Sequence, residues 1–132
     1  MALDFGDRRI GVSLSDPMKI IASPHSVIDR NFSKNIITDI IKLVETFNVE
    51  TIVVGLPITL KGTISIQTKK VQNFINDLSK QTSINIDTFD ERLSSISAKK
   101  ELIKKGIKTG HNKGEIDKTA ATLMLQEYLL SN

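Results

Sequence analysis

Met1-Ala2-Leu3-Asp4-Phe5-Gly6-Asp7-Arg8-Arg9-Ile10-Gly11-Val12-Ser13-Leu14 opens the chain, and the reading of this stretch decides the fold. Residues 1–5 are a short apolar segment, Gly6-Asp7 is a turn dipeptide, and Ile10, Val12 and Leu14 alternate with Gly11 and Ser13. That period of two is the mark of a strand, so the stretch predicts a hairpin. Asp16-Pro17 stops its second strand. Residues 20–28 can supply a third, and Pro24, which has no N–H to give to a ladder, argues for an edge position.

Beyond the hairpin the pattern changes period. Ile36, Ile37, Ile40, Ile41 and Val44 share one helical face within residues 33–47, with Ser33 placed as N-cap. Residues 51–55 are a β-branched run ending in Gly55, as expected of a buried parallel strand. After a loop holding Pro57 and Gly62, a helix is expected from about Ile66 to Leu78, then a strand over residues 84–89. Residues 92–105 and 114–130 read as two closing helices around a loop at 106–113. Strands in a meander, then alternating helix and strand, predict an α/β fold: a mixed sheet, antiparallel first and then parallel, with helices on both faces. One domain over residues 1–132 is expected.

Composition narrows the class. The chain has 132 residues, 39% hydrophobic and 25% charged, which suits one globular domain burying roughly two-thirds of its unfolded surface. With no cysteine it can have neither a disulfide nor a thiolate zinc site. No apolar run approaches the roughly 20 residues of a membrane span, and no basic flank precedes an apolar core at the start. A cytoplasmic setting is therefore expected. A net charge of +3 and a pI near 9.2 are compatible with an anionic partner.

Three carboxylates carry the chemical question. Asp4 lies in a short strand between Leu3 and Phe5, where β-propensity disfavours it, although a turn-initiating Asp at a strand end reads equally well. Glu91 follows Phe89-Asp90 at a strand–helix junction; Asp90 is placed as an N-cap there, and an acid in a first turn is ordinary. Asp117 is more informative. At about 100° per residue it falls near the middle of the broad apolar arc of Ile116, Ala120, Ala121, Met124, Leu125, Tyr128 and Leu129. The helix dipole explains an acid in a first turn but not an inward direction, which costs hydration and calls for a partner. If the three acids converged at one sheet edge they would repel, and an oxygen-preferring cation such as Mg²⁺ or Mn²⁺ would resolve that. Neither His25 nor His111 has a ligand-like neighbour at short spacing, which disfavours zinc.

The stretch from Leu3 to Asp16 resembles the opening of the YqgF/RuvX family of RuvC-like, ribonuclease H-fold nucleases. The likeness continues through Val53-Val54-Gly55-Leu56-Pro57 with Gly62-Thr63, through Asp90-Glu91-Arg92-Leu93-Ser94-Ser95, and through Asp117-Lys118-Thr119-Ala120-Ala121 to Tyr128-Leu129. Each block alone is a weak motif; in this order and spacing they cover essentially the whole chain. The resemblance implies a ribonuclease H-like sheet and places Asp4, Glu91 and Asp117 at the family's acidic triad, catalytic and ligating Mg²⁺ or Mn²⁺. It also implies phosphodiester hydrolysis, in processing of the 5′ end of pre-16S ribosomal RNA or, alternatively, in resolving four-way DNA junctions. Only Met1-Ala2 precede Leu3-Asp4, fewer residues than is usual there, so a short central strand is expected. The loop Thr59-Leu60-Lys61-Gly62-Thr63 replaces the family's usual Asn-Met-Asp-Gly-Thr/Ser, exchanging an acid for Lys61 and leaving the triad untouched.

Candidate phosphate contacts are Arg8, Arg9, Lys61, Thr63 and Arg92; exposed arginine on a hairpin is an equal reading for Arg8, and an ion pair for Arg92. Ser65 at a helix start reads equally as an anion site and as a plain cap. With 5% aromatic residues and no Trp, recognition by phosphate and shape is favoured over base stacking. The expected partner is nucleic acid, structured RNA or branched DNA, with no membrane, and the protein is a monomer or homodimer. Junction cleavage on both sides would need a two-fold dimer. A sugar-kinase or actin-like ATPase would need two such lobes. The remaining alternative from another class is a catalytically silent nucleic-acid-binding module.

Overall fold

The computed structural model describes residues 1–58, 64–91 and 113–131, with the backbone alone for 113–117. Five strands form one sheet: β1 (Ala2–Phe5), β2 (Arg9–Ser15), β3 (Ala22–Asp29), β4 (Thr51–Leu56) and β5 (Asn85–Asp90). Their order is β3-β2-β1-β4-β5. The hairpin and the meander are antiparallel, while β1–β4 and β4–β5 are parallel. The mixed sheet is the expected α/β arrangement, with Asp4 on the middle strand and Pro24 on an edge strand.

Side-chain alternation sorts the sheet into two faces. Leu3, Phe5, Ile10, Val12, Ile28, Ile52 and Val54 pack under α1 (Ile36–Thr46) and α2 (Ile66–Ser79), through Ile37, Ile40, Val44, Val71, Phe74 and Leu78. The opposite face offers Ala2 and Val53 to Met124 and Leu125 of α3 (Lys113–Ser131), with Phe89, Tyr128 and Leu129 at its margin. Small residues on this face let α3 lie close. Ala120 and Ala121 are buried, and the buried Ser13 hydroxyl donates to the Ala121 carbonyl at 3.0 Å. The apolar arc read from the sequence is the buried face of α3 over residues 120–129. Gln126 fastens the helix to the β2–β3 connection, accepting from the Ala22 N–H at 3.0 Å and donating to the Ile20 carbonyl at 2.9 Å.

Two local expectations differ from the structure. Asn35, and not Ser33, caps α1: its side chain accepts from the N–H groups of Ile37 and Thr38. The Ser33 hydroxyl is instead engaged by Asp39. The third strand begins at Ala22, because Ile20 and Ile21 donate their N–H groups to the Asp16 carboxylate at 2.7 and 2.8 Å and belong to its loop. Those bonds hold the Asp16 carboxyl below its usual pKa. Ser65, which the sequence left open between an anion site and a plain cap, caps α2 in a capping box with Thr68. The expected helix at 92–105 lies outside the described residues.

Candidate active site

Asp4 stands near the carboxyl end of the central strand, half-buried, opposite Gly11 of β2. Alternation places it on the same face as Ala2, the face covered by α3. On the other side of β1 the parallel ladder pairs Ala2 with Val53 and Leu3 with Val54, so the next residues along the two strands are Asp4 and Gly55. One strand further out, β5 pairs Gly55 with Phe89 and Leu56 with Asp90, and Glu91 follows immediately.

Gly55 shows where the Glu91 carboxylate goes. A Cβ built on Gly55 would lie 3.1 Å from Glu91 Oε1 and 2.6 Å from Met124 Sδ. Glu91 therefore reaches back over β4, the strand next to the one that carries Asp4, into space that only glycine leaves open. Strand register thus brings two of the three sequence-derived acids to one face and one end of the sheet. The position of Asp117 lies seven residues before Met124, two turns earlier on the same stripe of α3. Its side chain lies outside the described residues.

The phosphate candidates separate. Arg9 is half-buried in β2, where alternation with Ile10 and Val12 puts it on the face of Asp4. Arg8 is exposed on the turn, and its Nε lies 3.6 Å from the Asp29 carboxylate. Lys61, Thr63 and Arg92 lie outside the described residues. At the start of α2, the Thr68 N–H bonds the Ser65 hydroxyl at 3.1 Å and the Ser65 N–H bonds Thr68 Oγ1 at 3.2 Å, so these donors serve the cap.

Among the described residues no group of three or more His, Cys, Asp or Glu side chains is arranged to hold a metal ion. The donors at the strand ends nevertheless fit a hard cation. Asp4 and Glu91 offer carboxylate oxygen on one face, and Gly55 keeps the space beside Glu91 clear. His25 sits on β3, bonded to Ser26 at 2.8 Å and edge-on to Phe47. Two participants had no role assigned from the sequence, Gly55 and Met124. A glycine at the end of a β-branched run was the available signal, since glycine in a strand often marks a close approach.

The family model described as RuvX, Holliday junction resolvase, matches residues 1–131. A protein of Chloroflexus aurantiacus (strain ATCC 29366 / DSM 635 / J-10-fl) named "Putative pre-16S rRNA nuclease" is 41% identical over 129 residues, 98% of this chain and 84% of its own length. Proteins of the same name from Roseiflexus sp. (strain RS-1) and Desulforamulus reducens are each 40% identical over 98% of this chain, covering 92% and 94% of their own lengths.

Proposed function

The chain belongs to the RuvX family, and from that membership we propose that it is a divalent-metal-dependent nuclease, hydrolysing phosphodiester bonds in pre-16S ribosomal RNA. The observation that carries this reading is the Glu91 carboxylate lying over Gly55, the β4 residue next in register to Asp4 on the central strand. Asp4, Glu91 and Asp117 would hold Mg²⁺ or Mn²⁺. When bound, such an ion supplies a nucleophilic water at neutral pH and offsets charge on the phosphoryl oxygens.

The protein's own groups do the rest. Asp4, on the central strand, provides a carboxylate whose position is set by the sheet, and Glu91 brings a second from the neighbouring strand end. Arg9, on the same face, is suited to grip a phosphate next to the scissile one, with Arg8, Lys61, Thr63 and Arg92 as outer contacts. Phe5 and Phe74 are buried and stacked on each other, so neither is free to stack on a base. No described helix is long and apolar enough to cross a membrane, and ribosomal RNA processing suits a cytoplasmic protein.

The description of the family model favours a second reading, resolution of four-way DNA junctions by a two-fold dimer. Labelled ribosomal RNA precursor and a synthetic four-way junction, each incubated with Mn²⁺ or EDTA, separate the two. Cleavage of the precursor in Mn²⁺ alone, abolished by Asp4→Asn with the fold intact, is the expected result. Junction cleavage without precursor cleavage would favour the second reading. Full activity of Asp4→Asn, or in EDTA, would remove the metal-dependent site, and binding without cleavage would leave a silent module.

A further inference from the structure

The β1–β2 turn closes with the Gly6 N–H donating to the Arg9 carbonyl at 2.9 Å. Three carbonyls, those of Gly6, Asp7 and Arg8, lie past the last hairpin pair, Phe5 with Ile10. One residue 22 to 24 positions later in the chain meets all three. Arg30 Nη1 donates to the Gly6 carbonyl at 3.1 Å and to the Asp7 carbonyl at 3.0 Å, and the Arg30 N–H donates to the Arg8 carbonyl at 2.8 Å. Its guanidinium carbon lies 4.6 Å from the centre of the Phe5 ring. Arg30 thus holds residues 5 to 8, the four that follow Asp4.

The consequence for Asp4 comes from where the other strand lets go. The β1–β4 ladder covers only Ala2 and Leu3, so the backbone of Asp4 lies past it and is placed by β2 and by the turn. We propose that Arg30 is a positioning residue for Asp4, fixing the strand end from the far side of the sheet through the turn carbonyls and the Phe5 ring. The planar fork of arginine suits this: one nitrogen reaches two carbonyls while the guanidinium carbon sits over an aromatic ring, which a lysine ammonium cannot reproduce. The inference rests on the nuclease reading of Asp4.

Arg30→Met and Arg30→Lys test it, by hydrogen exchange of the β1–β2 amides and by kcat and KM on whichever substrate the parent cleaves. In Arg30→Met the amides of residues 4–9 should exchange about tenfold faster or more while those of α1 are unchanged, as expected of a local opening. A displacement of about 1 Å at a catalytic carboxylate costs on the order of 10²-fold, so kcat should fall about 10- to 100-fold with KM within about threefold. Arg30→Lys, which keeps a cation beside Phe5 and is the variant judged if Arg30→Met does not fold, should lie between. Unchanged exchange at the turn, or an unchanged kcat, overturns the proposal. The Nε and Nη2 groups bond none of the described residues, so a raised KM with unchanged kcat would mean a phosphate contact and would equally overturn positioning. If the parent cleaves neither RNA nor junction, the nuclease reading fails, and the exchange measurement alone decides whether Arg30 holds this strand end.

Discussion

Gly55 is buried in β4 and lacks a side chain where the Glu91 carboxylate and the Met124 sulfur both press in. Gly55→Ala would put a methyl 2.6 Å from Met124 Sδ and 3.1 Å from Glu91 Oε1, so one or both must move. Overpacking of this kind costs about 1–3 kcal/mol, and urea unfolding should show it together with a loss of hydrolysis. A variant as stable and active as the parent would mean that the space is not needed. Met1 gives a pH prediction at the same scale. Its amine donates to the Thr51 carbonyl at 3.1 Å, and burial lowers its pKa from 8.0 to about 6. Between those values the folded amine is neutral and the unfolded one charged. Unfolding therefore takes up a proton, and stability is full above about pH 8, declines toward pH 6 and levels off below. At roughly 1.4 kcal/mol per unit the loss is at most on the order of 3 kcal/mol. Acetylating the amine should abolish this component in denaturant melts at pH 6 and pH 8; an unaltered difference would assign it to other groups.

At the scale of the element, α1 begins where its donors are met. Asn35 accepts from two first-turn N–H groups, while Ser33 bonds the Asp39 side chain. Asn35→Ala should cost about 1 kcal/mol, the usual value of an N-cap, measured by chemical denaturation. Ser33→Ala removes no cap and should cost less. The reverse ranking would place the cap at Ser33 after all. For α3, the bond from Ser13 to the Ala121 carbonyl and the two bonds of Gln126 tie the helix to β2 and to the start of β3. The Tyr128 hydroxyl adds a bond to Asp87 of β5 at 2.7 Å; burial, and after it this bond, raise the tyrosine pKa. These ties span the sheet from β3 to β5, so the orientation of α3, and with it the position of Asp117, is a property of the whole sheet.

At the scale of the whole molecule, a site shared by Asp4, Glu91 and Asp117 would join three distant chain regions, and metal binding should then couple to global stability. If Mg²⁺ or Mn²⁺ binds only the folded form, the melting temperature should rise with the logarithm of free metal, stabilisation reaching about 2.7 kcal/mol at a hundredfold excess over the dissociation constant. Asp117→Asn tests the third acid without substrate. With converging carboxylates, the variant should be at least as stable as the parent in EDTA, because like-charge repulsion is relieved, yet gain less from Mn²⁺. An acid serving only the helix dipole predicts the opposite: a loss of roughly 0.3–1 kcal/mol and an unaltered metal response. Melts of both proteins at fixed ionic strength distinguish the two.

What the sequence by itself determined was local in origin. The alternation of Ile10, Val12 and Leu14, the turn at Gly6-Asp7 and the apolar arc of residues 120–129 each depend on neighbours within a few positions, where periodicity and hydrogen-bond chemistry act directly. Even the edge position of β3 followed from one proline. Only the tertiary structure decided which of two cap-competent residues caps α1: Asn35 meets the first-turn donors, while the Ser33 hydroxyl is taken by Asp39. The same holds for the approach of Glu91 across Gly55, which needs β1, β4 and β5 in register, and for the grip of Arg30 on a turn more than twenty residues away. Contacts between segments distant in sequence leave no periodic trace in either one. Their residues looked ordinary until the sheet brought them together.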